Sequence, residues 1–439
     1  MSIGYNLING HFYTGRDDLS DVENITISNG KIVGINSHRD DFETIDLNGL
    51  YVYPGFVDAH CHIKNYGRYL ATIPLKDSNN IDEVIDMLKL MINQAKPGEV
   101  IEGTGWDQEK WPTQDFPEAH ILDSIAPNNP VILSRVDGHA IWVNQRAKEI
   151  VGKHSHESND GGSIINECVF VDNAKKPFSD FLNQENSQYT AKWIQIAQNK
   201  FIEMGITGVH DAWQDEIIFK TIQSLEQDEQ FFIRCYGMLS SYDLKFLKSI
   251  MKAGHYISPY YSARSVKVFL DGALGSRGAL LFEEYSDDPC NCGLQLMPES
   301  QLIDLAKLCY QHNYQLNTHA IGDRANRIVL DTYKQVLQSD KTHRWRVEHA
   351  QMLKQSDLIK FSQTGIIPSM QPSHCTGDMP WLDNRLGTHR THRISRWKSL
   401  INSGVIIPGG SDCPYVGDGN PLFELYAAVT RKAHGSKSQ

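Results

Sequence analysis

Two histidines, His60 and His62, stand two residues apart at the end of the apolar run FVDAHCH. On a β-strand that spacing sends both imidazoles from one face, where neutral ring nitrogens can bind a single ion. Taken alone, the pair reads equally as packed or exposed histidines. Three more residues add weight, because His319, His349 and Asp412 also sit at the ends of short apolar runs, YQLNTHA, RWRVEHA and VIIPGGSD. Separately, His319 reads as a helix cap, His349 as a satisfied core histidine and Asp412 as an N-cap. Together they make a nitrogen and oxygen donor set suited to zinc or a similar divalent ion.

Lys267 lies within SVKVFLDG and alternates with Phe269 and Asp271, which aims its side chain at the interior of whatever that strand encloses. A lone buried ammonium is costly. Three states answer that cost: an ion pair with Asp271, a neutral amine that forms Schiff bases, and a carbamate formed with carbon dioxide. The carbamate would offer two anionic oxygens to metal.

The elements that must position these groups are short apolar runs alternating with helical patterns. The strand candidates are 56–62, 206–212, 231–237, 265–272, 314–320, 344–350, 365–371 and 405–412. YTAKWIQIAQNKFIEMG and ESQLIDLAKLCYQHN carry apolar residues at helical spacing between them. Such β-α repeats predict a parallel sheet, and eight strands fit a closed (β/α)8 TIM-type barrel, with an open doubly wound sheet as the alternative. Barrel enzymes keep their reactive groups at the C-terminal strand ends, where all five histidine and aspartate candidates fall. Residues 1–55 alternate apolar and polar positions around Gly and Asn turns and predict the strands of a small β-sandwich-like domain, with residues 56–439 forming the barrel. Residues from about 66 to 190 are then a long insertion after the first barrel strand, expected to cap the site.

The blocks FVDAHCH, VKVFLDGALGSRGAL, NTHAIGDRAN, RVEHAQ and GGSDCP resemble the amidohydrolase superfamily. GWDQEKW and DGHAIWVN are similar to its family 3 branch, the one containing N-substituted formamide deformylase. The resemblance covers nearly the whole chain. It implies that His60 and His62 hold the more buried of two ions, that Lys267 as a carbamate bridges the two, and that His319 and His349 hold the second. Asp412 would touch the buried ion and handle protons. Two ions about 3.5 to 4 Å apart hold a bridging hydroxide, lowering the pKa of water from about 15.7 toward about 7. Asp412 would take the hydroxide proton and return it to the leaving atom. The implied activity is hydrolysis of a C–N amide-type bond in a small molecule, an N-substituted formamide or a relative of it. Ester, lactone or deamination chemistry is the alternative. A catalytically silent barrel scaffold and a Schiff-base enzyme built on Lys267 are the rivals from other classes.

For the substrate, Trp106, Asp107 and His139 would reach over from the insertion, and Ser276, Arg277 and Asp323 would act from the barrel rim. Asp323 reads also as the first residue of a helix, and Trp106, Trp111 and Trp142 read also as core packing.

The chain has 439 residues, 40% hydrophobic residues and a net charge of -11 without a basic run, which excludes a phosphate-binding surface for nucleic acid. No apolar stretch approaches the roughly 20 residues of a membrane helix, and the first residues lack the pattern of a secretory signal. Eight scattered cysteines suit reduced thiols and a cytoplasmic setting, and Cys290 with Cys292, lacking a second pair, reads as a loop. After Asp412 the stretch PLFELYAAVTRKA provides one helix, whereas members of the resembled family continue further. Either the sequence is shortened or the small domain is made of the N-terminal strands alone. A half-built sheet has an open edge, which predicts a homodimer. The tail KAHGSKSQ is expected to be disordered.

Overall fold

The computed structural model describes residues 4–16, 18–19, 21–152, 162–182 and 187–432. Of the tail, residues 433–439 lie outside these described residues.

The first strands form a small sheet. β1 (Gly4–Ile8) pairs antiparallel with β3 (Asn24–Ser28), and β2 (His11–Phe12) lies between them in sequence. β4 (Lys31–Ile35) adds to the free side of β3, and β5 (Glu43–Asp46) runs parallel to β1, giving the order β4-β3-β1-β5. β6 (Tyr51–Val52) pairs with β2 as a separate parallel ribbon. The outer strand β4 leaves Ile32 and Val33 exposed.

β7 (Phe56–Cys61) starts the barrel and runs into α1 (Ile63–Ala71). The insertion follows: β8 (Ile73–Pro74), α2 (Ile81–Ile92), β9 (Ile101–Trp106), α3 (Ala119–Ile125), β10 (Val131–Arg135), β11 (Ala140–Val143), α4 (Gln145–Val151), β12 (Gly162–Ile165), β13 (Val169–Asp172) and α5 (Lys176–Leu182). Its strands form one six-stranded sheet of order β12-β13-β11-β10-β9-β8 over a core of its own that contains Leu88, Trp106, Leu133 and Trp142. α6 (Ser187–Glu203) returns the chain to the barrel by burying Thr190, Ile194, Ala197 and Phe201, a helical stripe, while α1 packs across it. Gly67 permits that packing, since a Cβ there would meet the Trp193 carbonyl oxygen at 1.7 Å.

The remaining elements are β14 (Ile206–Gln214), α7 (Glu216–Gln227), β15 (Arg234–Ser240), α8 (Leu244–Ala253), β16 (Tyr256–Ile257), β17 (Tyr261–Phe269), α9 (Glu299–Gln311), β18 (Gln315–Ala320), α10 (Asp323–Leu337), β19 (Arg346–His349), α11 (Gln355–Thr364), β20 (Ile367–Ser369), α12 (Pro372–Asp378), α13 (Leu382–Leu386), α14 (Trp397–Asn402) and α15 (Pro421–Thr430). Short polar side chains start the helices that follow strands: Asp215 accepts from the Ile218 amide and Asp243 from Lys245 and Phe246. Seven parallel strands, in the order β7-β14-β15-β17-β18-β19-β20, form the barrel wall among the described residues. Helix side chains such as Ile222, Leu247, Leu302 and Val329 cover its outer face.

The eighth barrel position differs from the strand expected over 405–412. It is an irregular segment with a single ladder bridge, Met370 to Gly409. Pro408 has no amide to donate, which interrupts a regular ladder. The barrel nonetheless closes. Met370 N donates to Pro408 O at 3.1 Å and Gly410 N to Met370 O at 3.1 Å on one side. On the other, Ala59 N reaches Gly409 O at 3.0 Å and Asp412 N reaches His60 O at 2.7 Å. Gly410 is needed here, because a Cβ would lie 2.4 Å from His60 N. Asp58 locks the seam by accepting from His60 N at 3.0 Å, Ser411 N at 3.1 Å and Ser411 Oγ at 2.6 Å. Replacing Asp58 by Ala leaves three buried donors unpaired, and an apparent loss of about 3 kcal/mol or more in urea unfolding is the expected outcome, at roughly 1–3 kcal/mol per donor; an unchanged midpoint would show that the seam does not rely on this carboxylate.

Candidate metal centre

The side chains gather at the C-terminal mouth of the barrel because each lies at or just beyond the end of a strand. His60 and His62 come from the end of β7 and the residue after it, Lys267 from β17, His319 from β18 and His349 from β19. Asp412 comes from the closing segment. On a regular strand Glu348 and His349 would face opposite sides. His349 escapes this with φ at +71°, and Asp412 adopts φ of +58°. Non-glycine residues seldom occupy that region, and such strain concentrates where a precise placement is required.

One candidate donor atom each from His60, His349 and Asp412 lies within 4.8 Å of the others. His62 Nε2 is 3.2 Å from Asp412 Oδ1, and His60 Nε2 is 3.5 Å from the same oxygen. Lys267 Nζ is 3.3 Å from His60 Nε2. The His319 and His349 rings meet edge to face with centroids 4.4 Å apart. All six side chains are buried.

The electrostatics leave the imidazoles of His60, His319 and His349 neutral. Burial, reinforced by the Lys267 charge, pushes His60 down to about 4 and His319 to about 3. Burial and the neighbouring His319 push His349 well below the usual histidine range. Burial lowers Lys267 to about 8 against the pull of Glu348 and Asp412. For Asp412, burial alone would raise the carboxyl, but hydrogen bonds with His374 and His62 outweigh it and hold the group well below the carboxylate range.

Neutral imidazoles beside an ionised carboxylate are what a divalent cation binds. The orphaned nitrogens point the same way: among the described residues, His319 Nδ1 and Nε2 and His349 Nδ1 are buried without a hydrogen-bond partner. His319 Nε2 stays 3.6 Å from Asp271 Oδ1, outside hydrogen-bond reach. An unpaired buried polar atom is costly, and an ion would give these nitrogens their missing partner. The residues therefore fit a metal.

Asp271 does not pair with Lys267. Its carboxylate accepts the amides of Leu280 at 2.9 Å, Ile321 at 3.0 Å and Gly322 at 2.8 Å, so it organises the loops around the mouth.

A family model described as "Amidohydrolase family" matches residues 43–437. The chain belongs to that family. Protein LONG AFTER FAR-RED 3 of Arabidopsis thaliana is 31% identical over 451 residues, spanning 96% of this chain and 77% of that protein. N-substituted formamide deformylase of Arthrobacter pascens is 25% identical over 471 residues, spanning 97% and 83%. An uncharacterized metal-dependent hydrolase from Pyrococcus horikoshii OT3 has the same architecture, with a TM-score of 0.81 and 26% identity, covering 98% of this chain and 86% of that one.

In this amidohydrolase, among the described residues, no hydrogen bond or ion pair joins any of the six residues expected to touch substrate to the candidate ligand cluster. Trp106 is wholly buried in the core of the insertion, where its Nε1 donates to Leu133 O at 2.8 Å beside Trp111 and Trp142. Asp107 pairs with Arg135 at 3.1 Å, and the exposed His139 lies 2.9 Å from Asp172. Ser276 turns to the Ala273 carbonyl and Arg277 to Asp287. Asp323 begins α10, accepts from Phe282 N and pairs with Arg393. The insertion itself is tied to the flank of α1 and α6 by Arg68 with Glu102 and by Lys192 with Glu99.

Sequence reasoning missed His374 of α12, whose Nε2 is 2.9 Å from Asp412 Oδ2 and whose ring lies 5.3 Å from that of His349. It also missed Glu348 and Arg346, although opposite charges two apart on a buried strand are a readable signal of an internal ion pair. Because Asp271 serves three buried amides, Asp271→Ala is expected to lower stability by about 3 kcal/mol or more, at roughly 1–3 kcal/mol per orphaned donor. Denaturant unfolding of the metal-free protein would check this, and a loss below about 1 kcal/mol would remove Asp271 from the structural frame of the mouth.

Proposed function

We propose that this amidohydrolase cleaves a C–N amide-type bond of a small molecule, an N-substituted formamide or a related amide, with a divalent metal held by His60, His62, Lys267, His319, His349 and Asp412. The observation that carries the reading is the convergence of four imidazoles, one low-pKa carboxylate and one depressed-pKa lysine in a buried cluster whose ring nitrogens include three without protein partners among the described residues. Zinc, as one or two ions, suits this donor set. The full-length similarity to N-substituted formamide deformylase supports the choice of bond.

A divalent ion held there would lower the pKa of water and polarise a carbonyl oxygen. The chain's own residues do the rest. Asp412, ionised and within reach of His62 and His374, accepts a proton from the attacking water and returns it to the leaving nitrogen. His374 steadies the second oxygen of that carboxylate. Lys267, its amine lowered by burial to about 8 and without a carboxylate hydrogen-bond partner among the described residues, supports carbamylation by carbon dioxide, which would turn the cation at the centre of the site into an anionic ligand. The buried free thiols Cys61, Cys235, Cys309 and Cys413 support a cytoplasmic setting.

Elemental analysis of the purified protein tests the metal. Close to two equivalents of zinc, manganese or iron are expected, falling toward one or none in Lys267→Ala and after exhaustive removal of bicarbonate. Folded protein that stays metal-free after exposure to zinc and bicarbonate would overturn the reading. Release of formate from a panel of N-substituted formamides tests the bond, and turnover confined to esters or lactones would replace it.

A further inference from the structure

Directly beneath the candidate ligands, in the throat of the barrel, lies a buried pair of charges that the ligand set does not use. Arg346 and Glu348 stand two apart on β19 and so share its inward face. Arg346 Nε is 2.7 Å from Glu348 Oε1, and Nη2 donates to Glu348 Oε2 at 3.0 Å. The fork also reaches three other strands. The same Nη2 shares its two N–H groups with Ala59 O of β7 at 2.6 Å and Ser369 Oγ of β20 at 2.5 Å, and Nη1 lies 2.8 Å from His210 Nδ1 of β14. Glu348 in turn holds its Oε2 2.5 Å from His60 Nδ1.

We infer that Glu348, oriented by Arg346, is the positioning residue for His60, fixing its tautomer and ring plane for metal binding. The inference rests on the ligand set proposed above and adds to it a residue that touches no ion. A neutral imidazole carries one N–H. An anionic acceptor at Nδ1 draws that proton there and leaves the lone pair on Nε2, the nitrogen that faces Lys267 Nζ and Asp412 Oδ1. Carboxylates in this relation to a ligating histidine orient the ring and raise its basicity. Arg346 supplies what Glu348 needs in return. A carboxylate buried without compensation is strongly disfavoured, and its own Coulombic partner must come with its hydrogen bonds satisfied. The Ala59 contact has a second effect, because that residue precedes His60: the same guanidinium that orients the carboxylate also fixes the backbone from which the imidazole projects.

Glu348→Gln separates a positioning role from a structural one. The amide keeps the shape of the side chain but loses the charge, and with its oxygen on His60 its NH2 must face the Arg346 fork. Zinc affinity of wild type and variant would be measured by competition with a chromogenic chelator, with near-UV circular dichroism and urea unfolding of the metal-free proteins alongside. Weakening of about 10–100-fold in zinc affinity, with native dichroism, is the expected result. A Glu348→Gln protein that unfolds at lower urea yet binds zinc as wild type does would overturn the inference and leave the pair a structural one. Should Glu348→Gln not fold, Arg346→Lys carries the test: it keeps the charge and loses the fork, and several-fold weaker zinc binding supports the positioning role whereas wild-type affinity overturns it. Wild-type protein that binds no zinc would instead overturn the ligand set itself, and with it this inference.

Discussion

Four charges kept from water in the throat and mouth of one barrel, on Lys267, Arg346, Glu348 and Asp412, constrain everything around them. Removing an ion from water costs several kcal/mol even after relaxation, and only close, well-shaped pairing offsets it. The barrel interior answers by crossing its own strands. Arg346 on β19 reaches β7, β14 and β20, and Asp412 of the closing segment meets His62 beyond β7 and His374 of α12. The Arg346 contacts fix the relative height of four strands, and the Asp412 contacts tie the closing segment to the end of β7 and to α12. The register of the barrel and the geometry of the ligand cluster are therefore one arrangement.

The backbone bears the rest of that constraint. A strand alternates its side chains, yet β19 must deliver Arg346 and Glu348 inward and His349 to the mouth. The left-handed turn at His349 and Ala350 accomplishes this at the end of the strand. At the closing segment, Gly410 lets the chain pass against His60 while Asp412 turns back toward the same imidazole.

Much of this is legible in the residues themselves. Strands with apolar β-branched interiors and chemistry-bearing ends announce both the barrel and the candidate ligands, and His60, His62, Lys267, His319, His349 and Asp412 are found together in the fold. What is not legible depends on contacts distant in sequence. The closing segment reads as a strand because VII is apolar and β-branched, but Pro408 interrupts its ladder. His374 lies on a short helix whose direction is set by the turn after β20, not by any local pattern. Trp106 sits beside Asp107 in a block that looks functional, yet alternation along β9 turns it into the insertion's own core. The proximity of a residue to a motif in sequence does not decide which of two cores its side chain will join.

The insertion leaves the barrel from α1 and returns through α6, and these two helices lie against each other with Gly67 at the Trp193 carbonyl. Its departure and return points are neighbours. The Ile63 amide and the Asp211 carboxylate, which join the first two barrel strands at the mouth, are 148 positions apart in the chain. Bringing such distant segments together costs entropy that must be met before the contact gives anything back. The intervening sheet, with a hydrophobic core of its own, holds the two ends near each other in the folded chain and so offsets part of that cost. The long detour in sequence thus ends close to where it began, and the barrel's first parallel pairing joins segments whose intervening sheet contributes no strand to it.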